Sequence, residues 1–329
     1  MVSGTWGISW YPIPEYRCDE QSDFYRQLSQ TQIEFSSEND SHLRRQESLK
    51  LRPLYGRSME NILLVGLLLI SGCFAGFTSG LFGVGGGFIV VPALLYVFGI
   101  FAYSSDEIIF VAVGTSLATI IVASVRAALT HHKLGSVNTT FLKDWGPWIL
   151  TGGGAGVGLA TFISGSSLKL TFAAGVGIYS IYFLFPAALT KYTFQKLPTG
   201  FTRAILGSCI GGFSVLLGIG GGTPVVITMT LCRRPIVEAV GTAACVGGII
   251  GLVGTLGFSL LGLAETSVNL PPWSLGFINL PALLAIAICS IITAPTGARL
   301  AHRIDPLYLK RMFGIYLLTV SSIMFTQSL

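Results

Sequence analysis

The chain changes character at residue 59. Before it, polar and apolar positions mix without a period, and residues 1–58 carry seven Lys/Arg and eight Asp/Glu among many Ser and Gln. Such a stretch buries too little apolar surface to offset the entropy of ordering it, so disorder is expected. It also lacks the apolar run of a secretory leader. From Met59 (MENILLVGLLLISG) onward, long apolar runs alternate with short polar breaks. A membrane helix needs about 20 mainly apolar residues. The runs predict ten segments, near 61–81, 88–101, 108–130, 146–164, 170–190, 203–217, 223–232, 236–263, 277–298 and 309–327. Some are too short to span alone, and these flank glycine clusters, which predicts broken helices. The fold class that follows is an all-α integral membrane protein. Met59 reads as a natural start for it, so residues 1–58 are expected either to precede the true initiator or to form a disordered tail.

The pattern also repeats. Gly76-x6-Gly83-x-Gly85-Gly86-Gly87 recurs 135 positions later as Gly211-x6-Gly218-x-Gly220-Gly221-Gly222. With glycine at about one position in eight, five coincident glycines have a chance on the order of 10^-5 per register. Val113-Gly114-Thr115 matches Val240-Gly241-Thr242 at offset 127, and Leu168-Lys169 with Phe172 matches Leu309-Lys310 with Phe313 at offset 141. The drifting offset marks insertions between matched helices of two copies, 59–197 and 198–329.

Composition and charge then say how the copies lie. The chain is 51% hydrophobic and 11% charged, with mean hydropathy +0.70. A soluble domain averages about 25% charged residues, so most of the outer surface must face lipid. Thirteen Lys/Arg against seven Asp/Glu remain after residue 58. They sit in short loops, a topology signal rather than a nucleic-acid one. Asp106 and Glu107 stand where the second copy has Arg233 and Arg234. His131, His132, Lys133 and Lys143 stand where it has only Glu265, and Lys169 stands where it has Arg299, His302, Arg303, Lys310 and Arg311. Cation-rich loops stay cytoplasmic, so matched loops face opposite sides. That is the charge pattern of an inverted-topology repeat. It puts the centre (Lys191, Lys196, Arg203) in the cytoplasm and both termini outside.

The glycine clusters are the candidate site. Glycine costs a helix interior about 1 kcal/mol relative to alanine, and four in five positions should break it. In lipid, freed backbone groups must be satisfied, so a break belongs inside protein or at a water-filled cavity. A helix starting after the break aims free N–H groups and its positive dipole end at that cavity. Gly83, Gly85, Gly86, Gly87, Gly218, Gly220, Gly221 and Gly222 are therefore the expected anion-binding residues, with hydroxyls from Thr115, Ser116, Thr223 and Thr242. The competing reading is close helix packing through small residues, for which Gly76-x3-Gly80 is also a motif. A nucleotide site is disfavoured, since neither cluster fits GxGxxG and no GK[ST] follows.

Other residues have two readings each. Arg126 either snorkels to the cytoplasmic surface or attracts the anion. Glu238 either favours the dipole of the helix it opens or couples protons. His131 and His132 titrate in a useful range but fall in a basic loop. Five of the six cysteines (all but Cys18) lie in or beside apolar segments, where they read as small buried hydrophobes, with sulfur chemistry open for Cys73 and Cys209. No CxxC pair, metal-ligand cluster, cofactor motif or nucleophile–base pair appears in the spans, which points away from an enzyme, a cofactor or a metal.

GFTSGLFGVGGGFIVVPALL (76–95), VGTSLATIIVASVRAALTHHKLGSV (113–137), LGIGGGTPVVI (217–227) and VGTAACVGG (240–248) resemble the sulfite exporter TauE/SafE family, over essentially all of 60–327. The resemblance implies a transporter in a bacterial-type cytoplasmic membrane. It would export or take up small sulfur-containing anions such as sulfite, sulfoacetate or thiosulfate, with protons as the coupling ion. No Asp or Glu lies deep in a span, so the protons can also travel on the substrate. The expected partners are thus a small anion, protons and the bilayer, and no nucleic acid. The alternative is an anion channel of the same architecture. Pro92 follows the first glycine cluster at the family's usual place, whereas Pro224 directly follows the second, so the two half-sites are not expected to be equivalent. Intact-protein mass spectrometry tests the start at Met59, and a native mass that includes residues 1–58 excludes it.

Overall fold

The computed structural model describes residues 54–83, 85–100, 107–185, 196–265, 270–301, 303 and 305–328. Most of the polar stretch 1–58 lies outside these residues, as do Val84, Asp106, Lys191 and His302. The chain divides into compact units at 1–62 and 63–329. The first contributes only the opening turns of one helix to the description.

Among the described residues, ten helices carry the fold. They are α1 (Leu54–Phe82), α2 (Gly87–Ile100), α3 (Ile108–Lys133), α4 (Thr139–Ala160), α5 (Gly165–Leu184), α6 (Gly200–Leu216), α7 (Gly222–Leu231), α8 (Ile236–Ala264), α9 (Leu280–Leu300) and α10 (Pro306–Ser328). α1, α3, α5, α8 and α9 are long and apolar enough to cross a membrane, and α2, α6 and α7 are shorter apolar helices. α3 is rich in Ile and Val, which elsewhere favour strands. In lipid a helix satisfies its own backbone, and that overrides propensity.

Three boundaries differ from the sequence reading for identifiable reasons. α4 starts at Thr139 rather than near 146, because Asn138 caps it by accepting the Phe141 N–H at 2.8 Å. Its first turns are polar and hold Asp144, which pairs with Arg203 of α6 at 3.0 Å. α3 runs through His131 and His132 to Lys133, so those residues are helical rather than loop. A two-residue hairpin, β1 (Ser274–Leu275) with β2 (Ile278–Asn279), leads into α9, which Asn279 caps in its turn.

Apolar residues fill the interior and also cover the outer helix faces, as a bilayer requires. Leu252, Leu256 and Leu260 of α8 are 53–67% exposed at helical spacing, and Leu284, Ile288 and Ile292 of α9 are 57–68% exposed. These stripes face lipid, which a soluble protein would not tolerate. The helices meet instead through small residues. α3 and α8 lie antiparallel at the centre, with Gly114 against Phe258, Gly251 against Leu117 and Ile121, Gly247 against Ser124, and Gly241 against His131. α1 runs parallel to α9 through Gly72, Gly76 and Gly80, and α4 parallel to α6 through Gly152 and Gly156. Gly76-x3-Gly80 is thus a packing motif in fact. α5 and α10 pair antiparallel, joined by Ser180 Oγ donating to the Gly314 carbonyl (3.1 Å) and Ser321 Oγ to that of Ala173 (2.8 Å).

A Cβ at Gly152 would run into the backbone of Ser208, whereas one at Gly154 meets nothing within 4 Å. Gly152→Leu is expected to cost about 3 kcal/mol or more through overpacking. Gly154→Ala should be neutral or stabilise by up to about 1 kcal/mol. Thermal unfolding in detergent checks both.

Candidate functional site

The two glycine loops join α1 to α2 and α6 to α7. Each carries three glycines at left-handed φ, from +65° to +85° at Gly83, Gly85 and Gly86 and from +63° to +69° at Gly218, Gly220 and Gly221. No L side chain adopts such a run cheaply, so both turns require glycine. The loops touch. A Cβ at Gly87 would run into the Gly218 carbonyl, and one at Gly85 would lie 3.2 Å from that of Ile219. Ile120 of α3 sits between them, its Cγ2 at 3.1 Å from a Cβ at Gly85 and 2.7 Å from one at Gly220. Ser116 Oγ donates to the Gly218 carbonyl at 2.9 Å and holds the second loop against α3.

Inside these loops the hydrogen bonding is incomplete. Gly83 N–H donates to the Ser79 carbonyl, Gly218 N–H to that of Val215 and Ile219 N–H to that of Ser214. Among the described residues, no carbonyl accepts from the N–H of Gly85, Gly86, Gly220 or Gly221. The amides that open α2 and α7 add to this set, as at any helix start. The hydroxyls of Ser79, Ser124, Ser214 and Thr223 are also buried without a partner. Ser214 Oγ lies 3.2 Å from a Cβ at Gly221, and Ser124 Oγ lies beside Gly247, whose neighbour is the Gly220 carbonyl. Buried polar groups are paired in the great majority of cases, so a cluster of orphans calls for an explanation. Successive N–H groups in left-handed turns form anion-binding concavities.

The remaining predicted residues fall in different places. Thr115 Oγ1 accepts the Asn279 N–H at 2.9 Å. Thr242 Oγ1 accepts the Asn138 N–H at 2.9 Å and donates to the Glu238 carbonyl at 2.8 Å. These two threonines fasten the caps of α4 and α9 to α8 and α3: each hydroxyl oxygen accepts a cap amide, and Thr242 also donates its hydrogen to the Glu238 carbonyl. Glu238 Oε1 accepts Asn138 Nδ2 at 2.5 Å. Arg126 is exposed, ten residues and so about 15 Å along α3 from Ser116. It is not brought to the loops.

Sequence reasoning missed Ser79, Ser214, Asn138 and Asn279. Ser79 and Ser214 stand at the same offset as the glycines, and Gly135-Ser136-Val137-Asn138 and Gly276-Phe277-Ile278-Asn279 at the offset of the Leu-Lys pairs. Extending either match by a few residues finds them. Ser124 has no such signal.

Aromatic rings bracket the first loop. Phe82 stacks on Phe313 at 4.8 Å, and Phe88 meets Tyr179 edge-on at 5.7 Å. At the position of Phe88 the second loop has Thr223, so the half-sites differ as expected. Two cavities, of about 610 and 390 Å³, are lined by residues outside both glycine loops.

Comparison with known proteins agrees with this architecture. The sulfite exporter TauE/SafE family matches residues 68–324. A probable membrane transporter protein of Haemophilus influenzae is 32% identical over 79% of this chain and 98% of its own length. One from Methanocaldococcus jannaschii is 29% identical over 78% and 93%. No solved structure matches. The chain belongs to the sulfite exporter TauE/SafE family and is a multi-pass membrane transporter.

Thr115→Val keeps shape but leaves the Asn279 N–H buried and unpaired. It should cost about 1–3 kcal/mol, read as a lower unfolding temperature in detergent, with Thr242→Val doing the same at Asn138.

Proposed function

We propose that this member of the family is a secondary transporter. It moves a small sulfur-containing anion, of the sulfite, sulfoacetate or thiosulfate class, across the cytoplasmic membrane by alternating access between two inverted repeats. The observation that carries the reading is the pair of glycine loops, whose unpaired amides and buried hydroxyls leave donors for an anion. Tetrahedral and pyramidal oxoanions are rings of acceptors, and they suit such a set without a buried lysine. The substrate class comes from the family's description.

Inversion is supported by the packing. α3 and α8 occupy matching places in the two halves and run antiparallel. The parallel pair α1 with α9 becomes α6 with α4 when each helix is exchanged for its counterpart, so the contacts survive the exchange. The loops touch in this structure, so a site between them would be closed to both sides, which fits an occluded form. Access from either side would come from parting one loop from the other.

Removing an unsatisfied buried hydroxyl costs the fold little. Ser79→Ala and Ser214→Ala should therefore leave the unfolding temperature unchanged, yet each should lower kcat/KM for the anion about tenfold, the worth of one hydrogen bond to a charged group. Gly86→Leu and Gly221→Leu should abolish flux. The measurement is radiolabelled sulfite, thiosulfate and sulfoacetate uptake in proteoliposomes. Folded glycine variants that transport normally would sink the site, and non-saturating ohmic current would sink the carrier in favour of a channel.

A further inference from the structure

His131 is fully buried at the end of α3. Its Nε2 lies 3.0 Å from the Gly80 carbonyl, and its Nδ1 lies 3.3 Å from Ser136 Oγ. A carbonyl only accepts, so Nε2 carries a hydrogen. Ser136 Oγ is also 3.0 Å from the His131 carbonyl and donates to it. With its one hydrogen used there, the hydroxyl can only accept at Nδ1, so the ring is a doubly protonated cation. If the hydroxyl turns to donate to Nδ1, the ring is neutral. The His131 carbonyl then still receives the Ser136 N–H at 3.0 Å. Both protonation states are fully hydrogen-bonded, and one hydroxyl rotation separates them.

Placement gives this switch a target. Gly80 is in the last turn of α1, three residues before Gly83 and next to Ser79. A helix C-terminus favours a cation, so His131 caps the helix that delivers the first glycine loop. The second half makes the same packing differently. Gly241 lies against His131 and the Ser136 carbonyl, and Gly114 lies against Phe258 and the Phe277 carbonyl. A benzyl ring therefore fills the equivalent position, and an imidazole is not needed to fill space.

We propose that His131 is a proton-binding site coupled to anion occupancy of the first glycine loop. The inference rests on the transporter reading above and adds the residue that binds the coupling proton. A proton taken from water adds at Nδ1, the Ser136 hydroxyl turns to the His131 carbonyl, and the charge beside the loop rises by one. The anion is held more tightly beside the cation, and by linkage the bound anion holds the proton more tightly. Among the described residues on the elements around the ring, Glu238 of α8 is engaged by Asn138, Arg299 of α9 donates Nε to the Pro295 carbonyl, His132 and Lys133 of α3 are exposed, and α1 has no charge from residue 61 to its end.

The test is equilibrium binding of radiolabelled thiosulfate to the full-length protein. This anion neither gains nor loses a proton between about pH 5.5 and about pH 8, so the pH dependence reports the protein. Wild type should bind about tenfold more weakly at the upper limit, the factor that matches one unit of pKa coupling. His131→Gln keeps an N–H for Gly80 and cannot charge. It should fold and bind with the weak affinity at every pH. His132→Gln should behave as wild type. The proposal is overturned if wild-type binding is flat with pH or if His131→Gln keeps the wild-type dependence. Each of these results leaves the transporter reading intact. Failure of wild type to bind or transport any of the three sulfur anions overturns the functional reading, and this inference with it.

Discussion

Lipid does not solvate a peptide group, and nearly every feature of this protein follows from that constraint. Helices pair their own amides, so even the Ile- and Val-rich α3 is helical. Where helices end inside the fold, side chains take over. His131 caps Gly80, Ser116 holds the Gly218 carbonyl, and Thr115 and Thr242 receive the Asn279 and Asn138 amides. Ser290 Oγ similarly donates to the Gly72 carbonyl where α9 meets α1. The hydroxyls of the interior are largely partners for backbone. Against that background, the unpaired amides and hydroxyls around the two glycine loops stand out as a concentration of unmet donors.

Glycine serves this architecture in two ways that the sequence reading set against each other. In α1, α4, α6 and α8 it removes side chains so that backbones approach, replacing the hydrophobic driving force that lipid does not supply. In the loops it allows left-handed turns whose amides are left without a carbonyl partner. Gly87 and Gly218 do both, because their contact packs one loop on the other while each loop presents donors. Packing and the display of donors are therefore one arrangement. In the proposed carrier, a site built from close-packed backbone would stay closed until the helices carrying it move.

The two halves share a scaffold and differ in chemistry. Phe88 fills the place that Thr223 takes in the second loop, and His131 the place that Phe258 takes beside α3. One half thus supplies an extra hydroxyl and the other a titratable cap. A duplicated fold keeps the packing that both copies need, and the positions released from packing are where the copies can specialise.

Much was legible in the chain. The apolar runs and their glycine breaks determined an all-α membrane protein, because hydrophobic length and glycine content act locally, while the offsets of 135, 127 and 141 and the loop charges point to two inverted halves. Asn138 and Asn279 stand at a matched offset, but a polar cap carries no apolar signal, so the apolar run alone begins seven residues after the true start of α4. Only the tertiary structure decided which hydroxyls were committed. Thr115 and Thr242 read as site hydroxyls, yet each oxygen accepts a backbone amide from 164 and 104 residues away, while Ser79 and Ser214 stay without a partner. It also decided that His131 is buried under α1 and that Arg126 lies outside. Hydrogen-bond satisfaction depends on atoms brought together from distant parts of the chain, and no local pattern encodes which of them a given hydroxyl will meet.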